Sequence, residues 1–324
     1  MYDVCYIRFK DDGKEYCYLI NPNEDIKVGD EVFTNEDLNG HIVTRVDKIN
    51  ELPVPLNKMK YLSKHPNDDL VIGEIINLSG SLSLVSSDIE LVGRDDIIES
   101  LYVSLMKKRM HNTVLIGEAG SGKSSIVYGL SRVVSDSFYI LELNMGELIS
   151  GTTLRGMLEE RINNIFSTII EFNKGAKKKI IIFIDEIHMI MYSCNAGDYG
   201  VYNLLKVYLT SPYMYLIGAT TINEYKKSIK TDLALRRRIT PLFVRELDSN
   251  AVIKILKDFS DGDVSDDMLK YIYERSLELI GMNNPDSSLE ILDRLLARRM
   301  VLKRDIDYDN INYVVEEIKE ASNI

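Results

Sequence analysis

Residues 117–124 read GEAGSGKS, which fits the spacing GxxxxGK[ST]. These residue types at this spacing suit one task, the cradling of a chain of phosphates. Gly117, Gly120 and Gly122 let the backbone turn tightly, so that successive N–H groups converge on an anion. Lys123 is placed to reach the β- and γ-phosphates, and Ser124 offers a hydroxyl to Mg²⁺. The strand-like run TVLI precedes the loop and the helical run SSIVYGLSRVV follows it, so a helix N-terminus adds its dipole at the same point. Further along, KIIIFIDEIH carries the apolar run Ile180 to Ile184, ending in Asp185 and Glu186. Ligands of open α/β sheets lie beyond the carboxyl ends of the strands. Asp185 is therefore placed to hold Mg²⁺, directly or through water, and Glu186 to polarise an attacking water. Alone, the two acids read as a solvated strand end; with the phosphate loop upstream, they read as chemistry.

Two further segments bear on that site. YLIGATT ends in Thr220 and Thr221, with Asn223 just beyond, and a polar side chain there can position water against a γ-phosphate. Read alone, GATT only caps a helix. DLALRRRI brings Arg236, Arg237 and Arg238 together before an apolar segment, which by itself is a solvated basic turn.

The elements that must position these residues are legible in the hydropathy. TVLIG, FYILELN, KIIIFIDE and MYLIGATT alternate with longer runs of helical period, which predicts a parallel sheet with helices on both faces. After about Leu247 the strand-like runs stop. AVIKILKDFS, DMLKYIYERSLELI, SSLEILDRLLARRMVLK and DNINYVVEEIKEA read as four amphipathic helices, a lid over the α/β domain. The N-terminal part is different. DVCYIRF and KEYCYLI flank the turn signal DDG, and IKVGDEVF and HIVTRVDKI follow, which predicts a small barrel or curled sheet. Arg8, Lys10, Lys14 and Arg45 could form a patch on it, although scattered charges usually make a solvated face. The expected domains are 1–55, small and β-rich; 56–86, a connector; 87–247, the large α/β domain; and 248–324, the helical lid.

Composition bounds the function. The chain has 324 residues, 45% apolar and 27% charged, as in an ordinary globular protein with a full core. Its formal charge of −11 argues against binding nucleic acid by phosphate neutralisation. Cys5, Cys17 and Cys194 show neither CxxC pairing nor metal-ligand spacing, and are expected as free thiols in a reducing cytoplasm. No apolar run approaches the ~18 residues of a membrane span. The N-terminus MYDVCYIRFKDDGK lacks the layout of a signal peptide.

Together these motifs resemble the AAA+ ATPases, specifically the first ATPase module of the Clp unfoldases and disaggregases (ClpA, ClpB and ClpC). The resemblance runs from about Leu91 to Glu317. ELVGRDDIIESL looks like the family's opening segment, which implies that Val92 and Gly93 lie against adenine. GEAGSGKSS looks like its Walker A element, with Ala119 where proline is usual. Gly117, Glu118, Ala119, Gly120, Ser121, Gly122, Lys123, Ser124 and Ser125 are then the expected nucleotide contacts. IIIFIDEIHMI resembles Walker B, with Asp185 joining Ser124 as the Mg²⁺ ligands and Glu186 as the catalytic base. YLIGATTINEYKKSI resembles the sensor-1 strand and points to Thr221. DLALRRRI corresponds to the arginine-finger segment; the family's acid followed by two arginines points to Arg237 and Arg238, with Arg236 in place of the acid. NPDSSLEILDRLL resembles the lid helix that closes on the nucleotide, with Pro285 and Asp286 on the adenine side.

The departures concern the grip and the surroundings. LNMGELISGTTLRGMLEERI resembles the stretch holding the first pore loop, but Thr153 and Leu154 precede Arg155-Gly156 where the family has a basic residue and a tyrosine. Leucine offers less contact area than an aromatic ring and no π-face. Tyr199, in a second pore loop near Asn195–Tyr199, is the other gripping candidate. The β-rich N-terminal domain replaces the family's helical one, and the chain is expected to carry a single ATPase module.

The resemblance implies ATP and Mg²⁺ as cofactors, ATP hydrolysis, and self-assembly into a ring of six in the cytoplasm. It implies chaperone-like remodelling of a protein client. A regulator that imitates a Clp module and binds a full-length Clp ATPase is the alternative. A nucleic-acid loader or replication accessory is a second alternative, disfavoured by the acidic balance. No membrane partner is expected.

Overall fold

Alternating apolar residues near the N-terminus form strands because one face of each must be covered. The computed structural model describes residues 1–8, 14–20, 24–34, 38–63, 67–87, 91–150, 155–192 and 200–322. They divide into two units, Met1–Gly80 and Ser81–Ile324. In the first, strands β1 (Tyr2–Arg8), β2 (Glu15–Ile20), β3 (Glu31–Val32), β4 (His41–Ile49) and β5 (Tyr61–Leu62) form one sheet in the order β3-β4-β1-β2-β5. An antiparallel bridge joins its two edges: Phe33 N–H donates to Ser63 O at 2.7 Å and Ser63 N–H to Phe33 O at 3.1 Å. The sheet is thereby nearly closed around Cys5, Ile7, Ile26, Val32, Val43 and Leu62. Cys5 and Cys17 are free, and burial pushes the Cys5 thiol up to about 12, so it stays protonated and unreactive. Helix α1 (Asp68–Ser79) starts at Asn67, whose side chain accepts from Asp69 N–H, and stops at Gly80 in the left-handed region.

The second unit is built on a sheet of β6 (Leu82–Leu84), β7 (His111–Ile116), β8 (Phe138–Leu143), β9 (Lys179–Ile184), β10 (Tyr215–Thr220) and β11 (Thr240–Phe243). The order is β11-β7-β10-β9-β8-β6, all parallel except β6, which runs antiparallel to β8 at the edge. Residues 56–86, read as a connector, thus supply β5 to the first sheet and β6 to the second. Strands this short carry no periodicity that would mark them.

The helices of the α/β part are α2 (Asp95–Leu105), α3 (Lys123–Val133), α4 (Met145–Ile149), α5 (Arg155–Gly175), α6 (His188–Tyr192), α7 (Gly200–Tyr208), α8 (Ile222–Lys227) and α9 (Leu233–Arg236). From β7 the chain moves outward to β8 through α3, then returns to β9 through α5. Right-handed crossovers in opposite directions put α3 and α5 on opposite faces. The central strands β9 and β10 are buried beyond their first residues, which is why their sequences are almost continuous apolar runs, whereas β7, equally buried, opens with His111, Asn112 and Thr113.

The four lid helices are α10 (Ser249–Phe259), α11 (Asp266–Ser276), α12 (Asp286–Leu302) and α13 (Tyr308–Ser322). They share a core that includes Val252, Leu256, Leu269, Ile272, Leu292, Ile311 and Val315. The run expected as one helix through Ile280 leaves the helix at Ser276. Leu279 turns inward, Ile280 is 94% exposed and Gly281 takes φ 83°, so the chain reverses towards the phosphate loop.

One polar side chain pins this scaffold and escaped the sequence. Asn173, fully buried near the end of α5, donates to Ile180 O and Tyr213 O at 2.9 Å each and accepts from Ile180 N–H at 2.7 Å. It ties α5 to the starts of two adjacent strands. Asn173→Ala removes three hydrogen bonds and orphans buried backbone groups, so it is expected to cost about 3 kcal/mol in urea unfolding. A loss below about 1 kcal/mol would mean the backbone groups are satisfied without it.

Candidate nucleotide site

The phosphate loop spans the gap between Ile116, the last residue of β7, and Lys123, the first of α3. Gly120 (φ 75°) and Gly122 (φ 82°) take the left-handed conformation that turns the backbone back on itself. A Cβ at Gly120 would lie 2.7 Å from Asp286 Cβ, so this glycine also admits the lid. Asn283 Nδ2 donates to Ala119 O at 3.0 Å across the same contact. At the loop's start, Gly117 N–H donates to Thr220 O at 3.2 Å, which fastens it to the end of β10.

Lys123 is buried and its Nζ donates to Gly117 O at 3.2 Å and Glu118 O at 2.9 Å, so the ammonium arches over the loop. Ser124 Oγ donates to Asp185 Oδ2 at 2.6 Å, although the two residues belong to different strand–helix units. A hydroxyl and a carboxylate in contact beside a phosphate cradle are the hard oxygen donors that Mg²⁺ uses, with nucleotide phosphates and water completing its shell. The residues therefore fit Mg²⁺.

Glu186 follows in an unusual backbone state, φ 51°. Its N–H donates to Asp185 Oδ1 at 2.9 Å. Gly218 of β10 pairs with Ile184 of β9, which brings Thr220 level with Glu186. His188 lies between them. Its Nδ1 is 3.1 Å from Glu186 Oε2, yet its hydrogen bond goes to Thr220 Oγ1, also at 3.1 Å. Oε2 is thus a buried acceptor without a hydrogen-bond donor among the described residues, with the His188 ring as its neighbour. Thr221 caps α8 by accepting from Glu224 N–H at 3.2 Å, which leaves its hydroxyl proton free to donate.

A cavity of about 430 Å³ adjoins the loop, walled by Leu91 and Val92 on one side and by Ile255, Pro285 and Leu289 of the lid on the other. Gly122 and Ser125 also line it. Gly93, with φ 67°, lies so close to α10 that an added Cβ would sit 3.1 Å from Ala251 Cβ. A mostly apolar slot continuous with a phosphate cradle matches a purine base.

Arg94, beside the candidate site, was passed over by sequence reasoning. It is 5% exposed, and its guanidinium donates to Ser121 O at 2.7 Å and Arg245 O at 2.6 Å. It therefore splints the phosphate loop to the chain entering the lid. Burial pulls its pKa down, with Asp96 opposing.

In the basic turn, Arg236 and Arg237 are exposed. Arg238 is half-buried, its Nη1 donating to Ala234 O at 3.3 Å. Thr153, Leu154 and Tyr199 lie outside the described residues, as does the side chain of Arg155 at the start of α5. Among the described residues, no helix is long and apolar enough to cross a membrane.

Residues 86–231 match the family described as the P-loop containing dynein motor region. The ATP-binding subunit ClpC of the ATP-dependent Clp protease of Staphylococcus epidermidis is 30% identical over 96% of this chain and 39% of its own length. Its counterpart from Staphylococcus aureus strain USA300 is 29% identical over the same shares. That alignment takes in most of the N-terminal unit as well. Among solved structures, closed Hsp104 with ATPγS and FITC-casein superposes with a TM-score of 0.63 and 25% identity, covering 75% of this chain and 45% of that one. The Saccharomyces cerevisiae Hsp104–ADP complex gives 0.62 and 27%, covering 72% and 42%. The chain spans about two fifths of the length of the curated relatives it matches.

A parallel sheet in this strand order, with its phosphate loop roofed by a helical lid, is the architecture of one class of nucleotide-driven proteins, and the relatives agree: the fold is that of the AAA+ P-loop ATPases. Among them the chain is similar to ClpC and Hsp104.

Proposed function

We propose that this chain binds ATP with Mg²⁺, hydrolyses it within a ring of its own copies, and uses the cycle to remodel a protein partner. The observation that carries the reading is the contact of Ser124 Oγ with Asp185 Oδ2 at the mouth of the phosphate loop, with Glu186 next in the chain. Three groups with complementary tasks meet there although the loop and the acids are far apart in sequence.

Position supports the following roles. Loop N–H groups and Lys123 hold the β- and γ-phosphates, and Val92, Gly93, Pro285 and Asp286 enclose the base. Ser124 and Asp185 would hold Mg²⁺, which supplies positive charge to the phosphate oxygens. Glu186 takes a proton from the attacking water, and Thr221 orients that water by donating its hydroxyl proton. Arg237, exposed and without a partner among the described residues, reaches the nucleotide of a neighbouring copy. Arg238 supports it. The similarity to ClpC and to Hsp104, solved with ATPγS and casein, supports ATP as the nucleotide and a polypeptide as the client. Leu154 and Tyr199 are the candidate client contacts, and six subunits is the number that the Clp likeness suggests.

The test is phosphate release by the purified chain with Mg²⁺-ATP, read alongside its mass in solution and any co-purifying protein. Turnover that rises with assembly into a ring, together with ATP-dependent retention of an unfolded protein such as casein, is the expected result. Absence of ATP-dependent phosphate release from an assembled ring would sink the reading. A one-to-one complex with a full-length Clp ATPase would favour the regulator instead.

A further inference from the structure

The arginine turn hangs from a helix too short to hold itself. α9 has four residues, and a single turn of helix is unfavourable in isolation. Two things fix it. Leu235 is fully buried, and Asp232 caps the N-terminus, its Oδ1 accepting from Ala234 N–H at 2.7 Å and Leu235 N–H at 3.1 Å. The other carboxylate oxygen points away from α9. Oδ2 accepts from Lys206 Nζ at 2.6 Å and from the Tyr202 hydroxyl, both on α7. Lys206 Nζ also stands 3.9 Å over the Tyr202 ring. One carboxylate thus takes four hydrogen bonds, two from its own helix and two from α7.

This joint is stiffer than a surface ion pair. The Lys206 and Asp232 side chains are only 23% and 19% exposed. Burial opposes ionisation of Asp232, but the bonds from Lys206, Tyr202 and the two N–H groups outweigh it and hold the carboxyl well below the usual range. α7 is anchored in turn. Val201 and Leu205 are buried, and Tyr208 packs edge-on to Phe166 of α5 with its hydroxyl 2.5 Å from Asn163 Oδ1. A continuous set of contacts therefore runs from α5 through α7 to the residue that opens the arginine helix.

We propose that Asp232 is a positioning residue that aims Arg237 at the nucleotide of the neighbouring subunit by tying α9 to α7. This rests on the reading that Arg237 acts in trans. The subunit's own phosphate loop, metal acid and base do not depend on the tie.

Asp232→Asn tests it, because asparagine caps a helix as well as aspartate but cannot pair with an ammonium. The expected result is phosphate release lowered at least tenfold, with the Kd for a fluorescent ATP analogue and the ring mass unchanged. The deciding measurement is co-expression of Asp232→Asn with Glu186→Gln subunits. Each is defective alone. In a mixed ring, an Asp232→Asn subunit keeps its own Glu186 and receives a well-placed Arg237 from a Glu186→Gln neighbour. Activity should return to about a quarter of wild type at equal mixing, the share of interfaces with that pairing. A loss confined to protein folding or to the subunit's own site would not be rescued. Full activity of Asp232→Asn, or loss without recovery on mixing, overturns the proposal. If Asp232→Asn does not fold, Lys206→Met, which leaves the cap intact, takes the same test. A wild-type ring without phosphate release would defeat the functional reading itself, and the proposal with it.

Discussion

Glu186→Gln should leave ATP binding within about twofold of wild type and slow hydrolysis by about 10²–10⁴-fold, the usual worth of a general base. The substitution keeps the side-chain length and the hydrogen-bonding end, so the backbone around φ 51° and the contact of Ser124 with Asp185 are undisturbed. It removes the proton acceptor alone. One of its oxygens, Oε2, is buried beside His188 and Thr220. Steady-state phosphate release paired with equilibrium binding of a fluorescent ATP analogue separates the two effects. Turnover within tenfold of wild type would move the base to another residue. Loss of binding together with turnover would make Glu186 a structural acid.

Arg237→Ala should cost about 10³–10⁵ in kcat with little change in KM, the range expected when an arginine stops stabilising charge in a neighbour's transition state. Arg238→Ala should cost less. Its guanidinium is half-buried and donates to Ala234 O within its own chain, whereas Arg237 is exposed with no partner among the described residues. Ring mass must be measured on the same samples, because a disassembled ring would also stop turning over. A dead Arg238→Ala beside a normal Arg237→Ala would exchange their roles. Equal, modest losses would return the turn to a solvated basic surface.

Much of the site was legible because its chemistry is local. GEAGSGKS carries its own turn residues, and the run Ile180 to Ile184 announces a buried strand that must end near a ligand. The strand–helix alternation gave the class of fold for the same reason: parallel strands covered on both faces leave continuous apolar runs. What stayed hidden depends on contacts between distant segments. Arg94 is an ordinary surface arginine until its guanidinium meets Ser121 O and Arg245 O. Asp232 is not singled out by sequence, and only the fold brings Lys206 and Tyr202 to its second oxygen. The closing bridge of the first sheet, Phe33 to Ser63, joins segments beside strands of two residues each, too short to show a period. His188 is given no role by sequence, and its place between Glu186 and Thr220 follows from the register of β9 and β10.

The backbone at Glu186 also says something about descent. A glutamate held at φ 51° costs about 1–2 kcal/mol relative to an ordinary conformation, whereas glycine at the same place costs far less. Selection for stability and selection for turnover therefore pull this one position in opposite directions. A lineage released from the need to hydrolyse ATP would drift there towards glycine or asparagine and gain stability by doing so. A glutamate held in that conformation is what the proposed role in hydrolysis would require at this position.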